Sequence, residues 1–183
     1  MSEYNVPFTD EDHRILSSCV TLVEGLADYL GGGYEIVLHS LEDVEHSVVK
    51  IINGHHTGRT TGAPITDLAL SMLSRIENEN RPGYISYFSR NKKGEPLKAA
   101  TIAIRGVGGR IIGLLCINFY LNTPLSHLLD SLCAPAQQSP AVTETFAENT
   151  RELVVQSVEQ ARAQVMADGS ILPSNKNLSL IHI

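Results

Sequence analysis

The sequence predicts an α+β fold, in which a five-stranded antiparallel sheet is flanked by helices, with a long N-terminal helix and a C-terminal linker helix. Three observations lead to this prediction. The 183 residues are 43% hydrophobic, which is enough for one main core. Five short apolar segments have the length of strands, and turn-rich connections of hairpin length join the last three. The segment RIIGLLCINFY at 110–120 is apolar at nearly every position, which predicts a central strand covered on both faces.

The first helix is predicted from its caps and its period. Thr9 and Asp10 are candidate caps, apolar residues then recur at a period of about 3.6 up to Leu30, and the glycines at 31–33 end the helix. Its apolar stripe is wider than the seam of a lone surface helix. We therefore expect this helix to pack on its own sheet and to present residues to a second surface, such as another subunit.

The other elements follow from apolar patterns separated by turn residues. YEIVLHS at 34–40 and SVVKIIN at 47–53 are expected to form an antiparallel pair. A helix is predicted at about 67–78, where NENRPG ends the apolar pattern. GYISYFSR at 83–90 and LKAATIAIR at 97–105 then precede the central strand, and the three should form an antiparallel meander.

Composition and charge exclude several classes of protein. The net charge is −6 and the pI about 5.6, so the chain lacks the broad positive field of a nucleic-acid-binding domain, and any DNA contact must come from elsewhere. Cys19, Cys116 and Cys133 fit neither a disulfide framework nor a CxxC zinc site, and we expect reduced thiols. The N-terminus is acidic and polar, and no apolar run reaches about 18 residues. A cytoplasmic protein without membrane contact is expected.

The stretch VVKIINGHHTGRTTGAP at 48–64 raises the question of a metal or phosphate site. His55 and His56 are adjacent, so on an extended backbone their side chains would point to opposite faces, and no further ligand motif lies nearby. The spacing and the lysine of a phosphate loop are also missing. No metal is therefore expected. Asn53 and Gly54 predict a turn, and Arg59 could pair with a carboxylate on a ligand.

Catalytic motifs are not evident in the sequence. There is no GxSxG elbow, and none of the three cysteines has a neighbouring histidine. RGVGGR at 105–110 joins two strand patterns, which predicts a hairpin turn and not a dinucleotide-binding loop. We therefore expect no catalytic residues and no enzymatic activity.

Long stretches of the chain resemble a known family. They are YEIVLHSLEDVEHSVVKIINGHHTGRTTGAPITDLAL, YFSRNKKGEPLKAATIAIRGVGGRIIGLLCINF and ILPSNKN. These stretches occur in the same order as in the YheO-like PAS domains of bacterial transcriptional regulators, a family that includes the DauR-like regulators. The resemblance runs from about residue 10 to residue 177. The element order β-β-α-β-β-β is also that of a PAS domain. The resemblance implies a PAS-like sheet followed by a helix-turn-helix DNA-binding domain, of which this chain would hold only the beginning.

The resemblance also implies a small-molecule site between the inner sheet face and the helices, without identifying the ligand. Polar residues that lie among apolar ones are the candidates for contacts, because a few such groups orient a metabolite in an apolar cleft. Each could instead be an ordinary packed or hydrogen-bonded residue. No haem or flavin motif is present, and no cofactor is expected. The candidate ligand-binding residues are His39, Arg59, Thr60, Tyr87, Ser89, Thr101 and Cys116.

The predicted domain order is a sensor, a linker and an output region. Residues 1–121 form the PAS-like sensor, 122–141 a linker, 142–168 a connecting helix, and 169–183 the start of a truncated helix-turn-helix domain. The connecting helix could pair with its symmetry mate or pack back on its own domain, and the sequence favours neither.

Three functional hypotheses follow. The favoured one is the sensor and dimerisation portion of a bacterial helix-turn-helix transcriptional regulator that responds to a small-molecule effector. Its homodimer would be built on the N-terminal helix and the outer sheet face, and it would contact DNA through the missing C-terminal domain. The alternatives are a small-molecule-processing enzyme and a ligand-free structural dimerisation domain.

Overall fold

A computed structural model of the chain describes residues 5–78, 83–132 and 149–167. The chain divides into two compact units, Met1–Ala134 and Pro135–Ile183. The first unit contains the sheet and three helices, which are α1 (Asp10–Leu30), β1 (Tyr34–Ser40), β2 (Val48–Ile52), α2 (Asp67–Asn78), β3 (Tyr84–Arg90), β4 (Pro96–Arg105), β5 (Ile111–Tyr120) and α3 (Leu125–Leu132). The second unit contains α4 (Thr150–Ala167).

The sheet has five strands in the order β2-β1-β5-β4-β3, and all neighbouring strands run antiparallel. The predicted α+β class, the pairing of the first two strands and the meander of the last three are confirmed. Strand β5 lies in the centre, as its continuous apolar pattern predicts. Cys116 of β5 pairs with Val37 of β1 on one side and with Thr101 of β4 on the other.

Each face of the sheet carries its own apolar core. On the face that packs against α2, which we call the inner face, Val37, Leu114 and Cys116 lie in one cluster with Met72 and Ile76 of the helix. On the outer face, Ile36 and Leu38 lie in a second cluster with residues of α1. Neighbouring residues of β1 therefore belong to opposite cores, because successive side chains of a strand point to opposite faces.

A buried carboxylate fastens the start of α1 to the sheet. Thr9 caps the helix, and a capping box forms in which the Asp12 backbone N–H donates to the Thr9 hydroxyl while the Asp12 carboxylate accepts from Thr9. Asp12 is fully buried and also accepts from the Val107 backbone N–H at 2.9 Å and from the Arg110 guanidinium, both in the β4–β5 connection. A Cβ at Gly106 would collide with this carboxylate, so the connection approaches the helix closely only with glycine there.

Helix α3 lies in a segment that the sequence analysis assigned to the linker. Its residues fall within the first compact unit, and Ser131 packs so closely against Gly31 that a Cβ on this glycine would overlap it. Gly31 has a φ of 79°, which also favours glycine. The end of α1 and helix α3 are therefore in contact.

The predicted connecting helix is described only in part. It was predicted over 142–168, and α4 spans Thr150–Ala167, with the Asn149 side chain accepting from the Glu152 backbone N–H at 3.0 Å. Residues 142–148, residue 168 and the expected start of the helix-turn-helix domain at 169–183 lie outside the described residues. In the described parts of the chain, no helix is both long and apolar enough to span a bilayer.

We predict that Asp12→Asn destabilises the fold more than Thr9→Ala, for which the loss of a cap costs about 1 kcal/mol. The asparagine keeps the size of the side chain but leaves the Arg110 guanidinium without its buried anion. Hydrogen bonds from Thr9 in the first place, and from Val107 and Arg110, hold the pKa of Asp12 well below its usual range. The carboxylate therefore stabilises the fold above about pH 4, and this contribution is lost as the pH falls.

Urea unfolding of the wild type and both variants tests this prediction, and the gap between Asp12→Asn and the wild type should narrow towards about pH 3. The control is Asp10→Asn, because Asp10 is an exposed acid in the same helical turn. This substitution should change the free energy of unfolding by only about 0.5 kcal/mol. Equal effects of the substitutions at 10 and 12 would contradict the prediction.

Candidate functional site

The inner face of the sheet gathers polar side chains from four strands. Strand alternation places Glu35, Val37 and His39 of β1 on this face, and their partners in β5 are Asn118, Cys116 and Leu114. Glu35 and His39 are each about 1% exposed, which is unusual for residues of these types. Two buried polar side chains therefore lie on one strand of an otherwise apolar core.

The connection between β2 and α2 runs beside this face and supplies further polar groups. Asn53 begins it in the left-handed conformation, with φ 56°, and its side-chain amide donates to the Tyr34 backbone oxygen at 2.7 Å. A short 3₁₀ turn follows at Gly54–His56, and the later residues Ala63 and Ile65 pack on the inner-face core. The loop is therefore anchored at both ends against β1 and the core.

Glu35 is held by two hydrogen bonds. The Thr57 hydroxyl donates to Oε2 at 2.6 Å, and the Asn118 amide donates to Oε1 at 3.2 Å. One donor comes from the β2–α2 connection and the other from β5. Each carboxylate oxygen thus has a partner, which a buried carboxylate requires.

His39 is neutral and its tautomer follows from its neighbour. The Ser47 hydroxyl donates its single proton to the Ser40 backbone oxygen at 2.6 Å. The 3.1 Å contact between His39 Nδ1 and the Ser47 oxygen must then be donated by the imidazole, so Nδ1 carries the proton and Nε2 has the free lone pair. Burial, assisted by the charge of Arg59, lowers the pKa of His39 to about 3. His39 is therefore an acceptor at Nε2 at neutral pH.

A row of polar side chains crosses β3, β4 and β5, and it consists of Tyr87, Thr101 and Cys116. The Tyr87 hydroxyl lies 3.2 Å from the Thr101 hydroxyl, which lies 3.7 Å from the Cys116 sulfur. Burial raises the pKa of Cys116 to about 11 and also raises the pKa of Tyr87. Both groups are protonated at neutral pH, so they offer hydrogen bonds but no charge.

Arg59 links these groups electrostatically. It is half-buried in the β2–α2 connection, and its guanidinium donates to the Pro64 backbone oxygen. Its charge acts on His39, Glu35 and Cys116, and its own pKa is lowered by burial, an effect that the negative charge of Glu35 opposes. The guanidinium has five N–H donors, so it retains donors beyond the one that contacts Pro64.

Tyr120 is a further buried polar residue next to this group. Its ring stacks on His56 with a centroid distance of 4.1 Å, and it is 1% exposed. Its hydroxyl has no hydrogen-bond partner in the described parts of the chain, although the Asn91 side chain lies nearby. Burial in the first place, and the charge of Glu35 in the second, raise the pKa of Tyr120 to about 12.

Part of this group was predicted from the sequence, and part of it was not. Five of its seven candidates belong to it, namely His39, Arg59, Tyr87, Thr101 and Cys116. Of the other two candidates, Thr60 is exposed. Ser89 lies two residues beyond Tyr87 on β3, where it pairs with Leu97 of β4. Glu35, Asn118 and Tyr120 were missed. A strict period of two from His39 along β1 would have placed Glu35 on the same face.

The two adjacent histidines differ from the expectation. They do not point to opposite faces, because they lie in a 3₁₀ turn and not on an extended strand, and their ring centroids are 4.3 Å apart. With His127, Glu95 and Asp130 they line an open cleft of about 540 Å³ between the β2–α2 connection and α3. Nowhere in the described ranges do three His, Cys, Asp or Glu side chains come together as a group that could hold a metal ion.

A five-stranded antiparallel sheet of this strand order, with a helix-containing crossover over polar groups on its inner face, is the architecture of a PAS-like domain. The family model of the YheO-like PAS domain matches residues 9–134. The chain belongs to this family. It is 41% identical over 175 residues to the Escherichia coli K12 protein YheO, covering 96% of this chain and 73% of that protein. A Haemophilus influenzae protein is also 41% identical, over 177 residues that cover 96% of this chain and 78% of that protein.

Solved structures show a more distant similarity. A PAS domain from Colwellia psychrerythraea is 17% identical, covers 57% of this chain and 99% of that domain, and has a TM-score of 0.41. An RNA-binding light-oxygen-voltage receptor is 14% identical, covers 64% of this chain and 38% of that receptor, and has a TM-score of 0.40. The family membership therefore rests on the sequence matches, and the strand order is that of the chain itself.

We predict that His39 stays neutral over the pH range in which exposed histidines titrate. In two-dimensional NMR spectra its ring should show a protonated Nδ1 and no titration down to about pH 5, because burial lowers its pKa to about 3. His46 is the internal control, because its hydrogen bond to Asp43 raises its pKa above the usual value. Unfolded His39 would bind a proton below about pH 6.5, so this residue makes the fold less stable as the pH falls. Titration of His39 together with His46 would contradict the assignment.

Proposed function

We propose that this chain is the sensor and dimerisation portion of a helix-turn-helix transcriptional regulator, and that it binds a small-molecule effector on the inner face of its sheet. One observation carries the proposal: five polar residues, four of them on four different strands and Arg59 on the β2–α2 connection, are gathered on the inner face. PAS-type domains hold ligands at this place. The remaining length of the two curated relatives, beyond the shares that this chain covers, is enough for a DNA-binding domain.

The arrangement supports binding better than catalysis. Cys116 is fully protonated and buried, and its contact is the Thr101 hydroxyl and not a base. An activated cysteine needs a lowered pKa and a neighbouring histidine or cation in contact. The neutral His39 donates to Ser47 and is thereby oriented as an acceptor. These features suit recognition of a ligand by hydrogen bonds.

The ligand-free alternative explains the buried polar groups less well. A domain that only dimerises gains nothing from Glu35 and His39 in its core, because each needs partners to offset the loss of hydration. Apolar residues at both positions would serve such a domain better. A ligand that uses these groups accounts for their presence.

We further propose that the protein is a homodimer, assembled through α1. Besides the residues buried against the sheet, α1 carries a second apolar stripe in which consecutive members are four and three residues apart. This spacing is typical of helix pairs that pack side by side. Leu22 and Tyr29 of the stripe are 59% and 74% exposed. The stripe consists of Ile15, Cys19, Leu22, Leu26 and Tyr29.

The outer face of the sheet extends this surface. Helix α1 packs on β1, β2 and β5, and Tyr84 and Phe88 of β3 remain 54% and 74% exposed. Large exposed aromatic side chains on the sheet face that α1 also covers favour an interface between proteins. A second copy fits this surface best, because helix-turn-helix regulators read paired half-sites with twofold symmetry.

Light scattering of the 183-residue chain should therefore report about twice the mass of 19.9 kDa. Leu22→Glu should yield a folded monomer, because it places a charge in the exposed stripe. Thr21→Glu is the matched control, since it adds the same charge one position away on the polar side of α1, and it should remain a dimer. Val23→Glu would test folding and not assembly, because Val23 is fully buried. A well-folded wild-type monomer at high micromolar concentration would overturn the dimer.

The regulatory mechanism that we propose is a shift between two dimer arrangements. An effector that binds one arrangement more tightly increases its population. Helix α4 and the residues that precede it would carry this change to the paired DNA-binding domains. The effect requires binding alone and no chemical step.

We predict that DNA binding depends on the part of the regulator beyond this sensor. In mobility-shift experiments at low salt, the 183-residue chain should bind DNA weakly or not at all, because its net charge is −6. The full-length regulator, precipitated from cells with its bound DNA, should enrich discrete genomic sites. Tight, sequence-specific binding by the 183-residue chain would contradict the domain assignment, and the absence of enriched sites for the full-length protein would contradict the proposed function.

A further inference from the structure

The two sides of α1 face different parts of the sheet. The helix packs on β1, β2 and β5, and the strand order continues from β5 to β4 and β3. On one side of the helix, Glu24 forms a 2.5 Å ion pair with Lys50 of the edge strand β2. Leu22 of the apolar stripe lies on the opposite side, because two residues correspond to about 200° of helix rotation. The stripe therefore faces β4 and β3.

Beside the stripe, the outer face of β3 and β4 forms a floor. Ile85 and Tyr87 of β3 pack on the inner-face core. The alternating residues Tyr84 and Phe88 therefore lie on the outer face, where both are exposed. Phe88 pairs with Lys98 of β4, which is also exposed. The stripe and this floor form the two walls of a groove.

The charges around the groove favour a second copy of α1 as its occupant. The exposed surface of α1 has four acids and one arginine, Arg14, which is paired with Glu11. Along residues 90–98 of the floor, four exposed cations accompany one acid, Glu95. A second α1 in the groove therefore brings opposite charges together. The acids are Asp10, Glu11, Glu24 and Asp28, and the cations are Arg90, Lys92, Lys93 and Lys98.

Packing in this groove determines the direction of the second helix. A partner helix that contacts the stripe lies over β4 and β3, so the floor occupies the space beneath it. The sheet on which that helix packs in its own chain must then lie on its other side. The twofold axis that exchanges both helices and both sheets runs along the helices, and the two helices are therefore parallel.

We propose that the homodimer contains a parallel pair of α1 helices between the two sheets, in which each α1 packs against its copy and on the β3–β4 floor of the partner subunit. The inference rests on the proposed function and specifies the arrangement of the same dimer. It places both α3 helices at one end of the pair, because Ser131 of α3 contacts Gly31 at the end of α1. Both chains then continue from this end towards the paired DNA-binding domains of the proposed regulator.

The composition of the stripe fits a parallel pair. A twofold axis along the helices brings each stripe residue against its own copy, so a charged residue there would face a like charge. None of the five stripe residues is charged, and their spacing of four and three residues is that of a helix-pair seam. Ser18 and Gly25, which flank the stripe, are small enough for the helices to approach closely.

The buried area explains why the floor is needed. A helix of 21 residues is about 31 Å long and about 10 Å wide, so one side of α1 buries about 300 Å² per subunit. A stable interface buries about 800 Å² per partner. The floor and the side of α1 that rests on the partner's floor add two strips of similar size, which raises the area to about 900 Å² per subunit.

Disulfide cross-linking of the 183-residue chain tests the direction of the helices. Tyr29→Cys is combined with Cys19→Ser and Cys133→Ser, so the remaining native thiol is the buried Cys116. In a parallel pair, residue 29 lies against the partner's residue 29, within the Cα separation of about 7 Å that a disulfide allows. We expect mild oxidation to convert most of this variant to a covalent dimer on non-reducing gels.

The matched control is Asp28→Cys in the same background, because Asp28 is exposed one position away on another side of α1 and should not cross-link. An antiparallel pair centred on Leu22 gives a different result. Tyr29 would then face the partner's Ile15 and lie about 21 Å from the partner's Tyr29. Co-expressed Ile15→Cys and Tyr29→Cys chains would in that case form mixed covalent dimers alone.

A substitution on the floor tests the second contact. Phe88→Glu places a carboxylate against the acidic α1 of the partner, and it should raise the dimer dissociation constant at least about tenfold in analytical ultracentrifugation. Thr60→Glu is the control, since it adds the same charge at an exposed position of the β2–α2 connection and should leave the constant unchanged. Circular dichroism should show that both variants are folded, because both native side chains are exposed.

The outcomes distinguish this inference from the proposed function. Cross-linking of Tyr29→Cys to itself, together with a weakened Phe88→Glu dimer, supports the arrangement. A wild-type dimer whose variants form only mixed links, form no links, or tolerate Phe88→Glu would overturn the arrangement, while dimerisation itself would stand. A well-folded wild-type monomer at high micromolar concentration would instead count against the dimer of the proposed function.

Discussion

Burial of β5 on both faces is the constraint on which the rest of the structure depends. A central strand with apolar residues on both sides must be covered twice, so α1 packs on the outer face and α2 on the inner one. Gly113 allows this packing, since a Cβ there would collide with the His39 backbone oxygen and crowd Leu16 of α1. The Asp12 carboxylate then fixes the start of α1 to the β4–β5 connection. The burial of β5 thus determines where both helices pack, and the Asp12 carboxylate fixes the position of α1.

The same constraint explains why the polar groups of the inner face occur in partnered sets. Glu35 and His39 are each about 1% exposed, so their polar atoms need donors or acceptors within the protein. Glu35 finds Thr57 and Asn118, and His39 finds Ser47. One exception is informative, because the buried Tyr120 hydroxyl lacks such a partner in the described residues. Unpartnered atoms within a satisfied core are the expected mark of a site that a ligand completes.

The pKa values show how burial decides which groups can carry charge in such a core. Desolvation keeps His39 neutral and Cys116 protonated, whereas Asp12 remains ionised because donors from Thr9, Val107 and Arg110 surround it. The start of α1 is therefore stabilised by the buried charge of Asp12. On the inner face, burial keeps His39 and Cys116 uncharged.

The sequence by itself determined the α+β class, the five strands, both flanking helices and the central position of β5, because period and turn chemistry are local properties. It also identified five members of the inner-face group as polar residues among apolar ones. It did not reveal the roles of Glu35 and Tyr120, or the paired rings of His55 and His56, or the packing of α3 against Gly31. Only the tertiary structure decided these, since each depends on contacts between segments far apart in the chain, and a side chain's burial, charge and hydrogen-bond partners are set by those contacts.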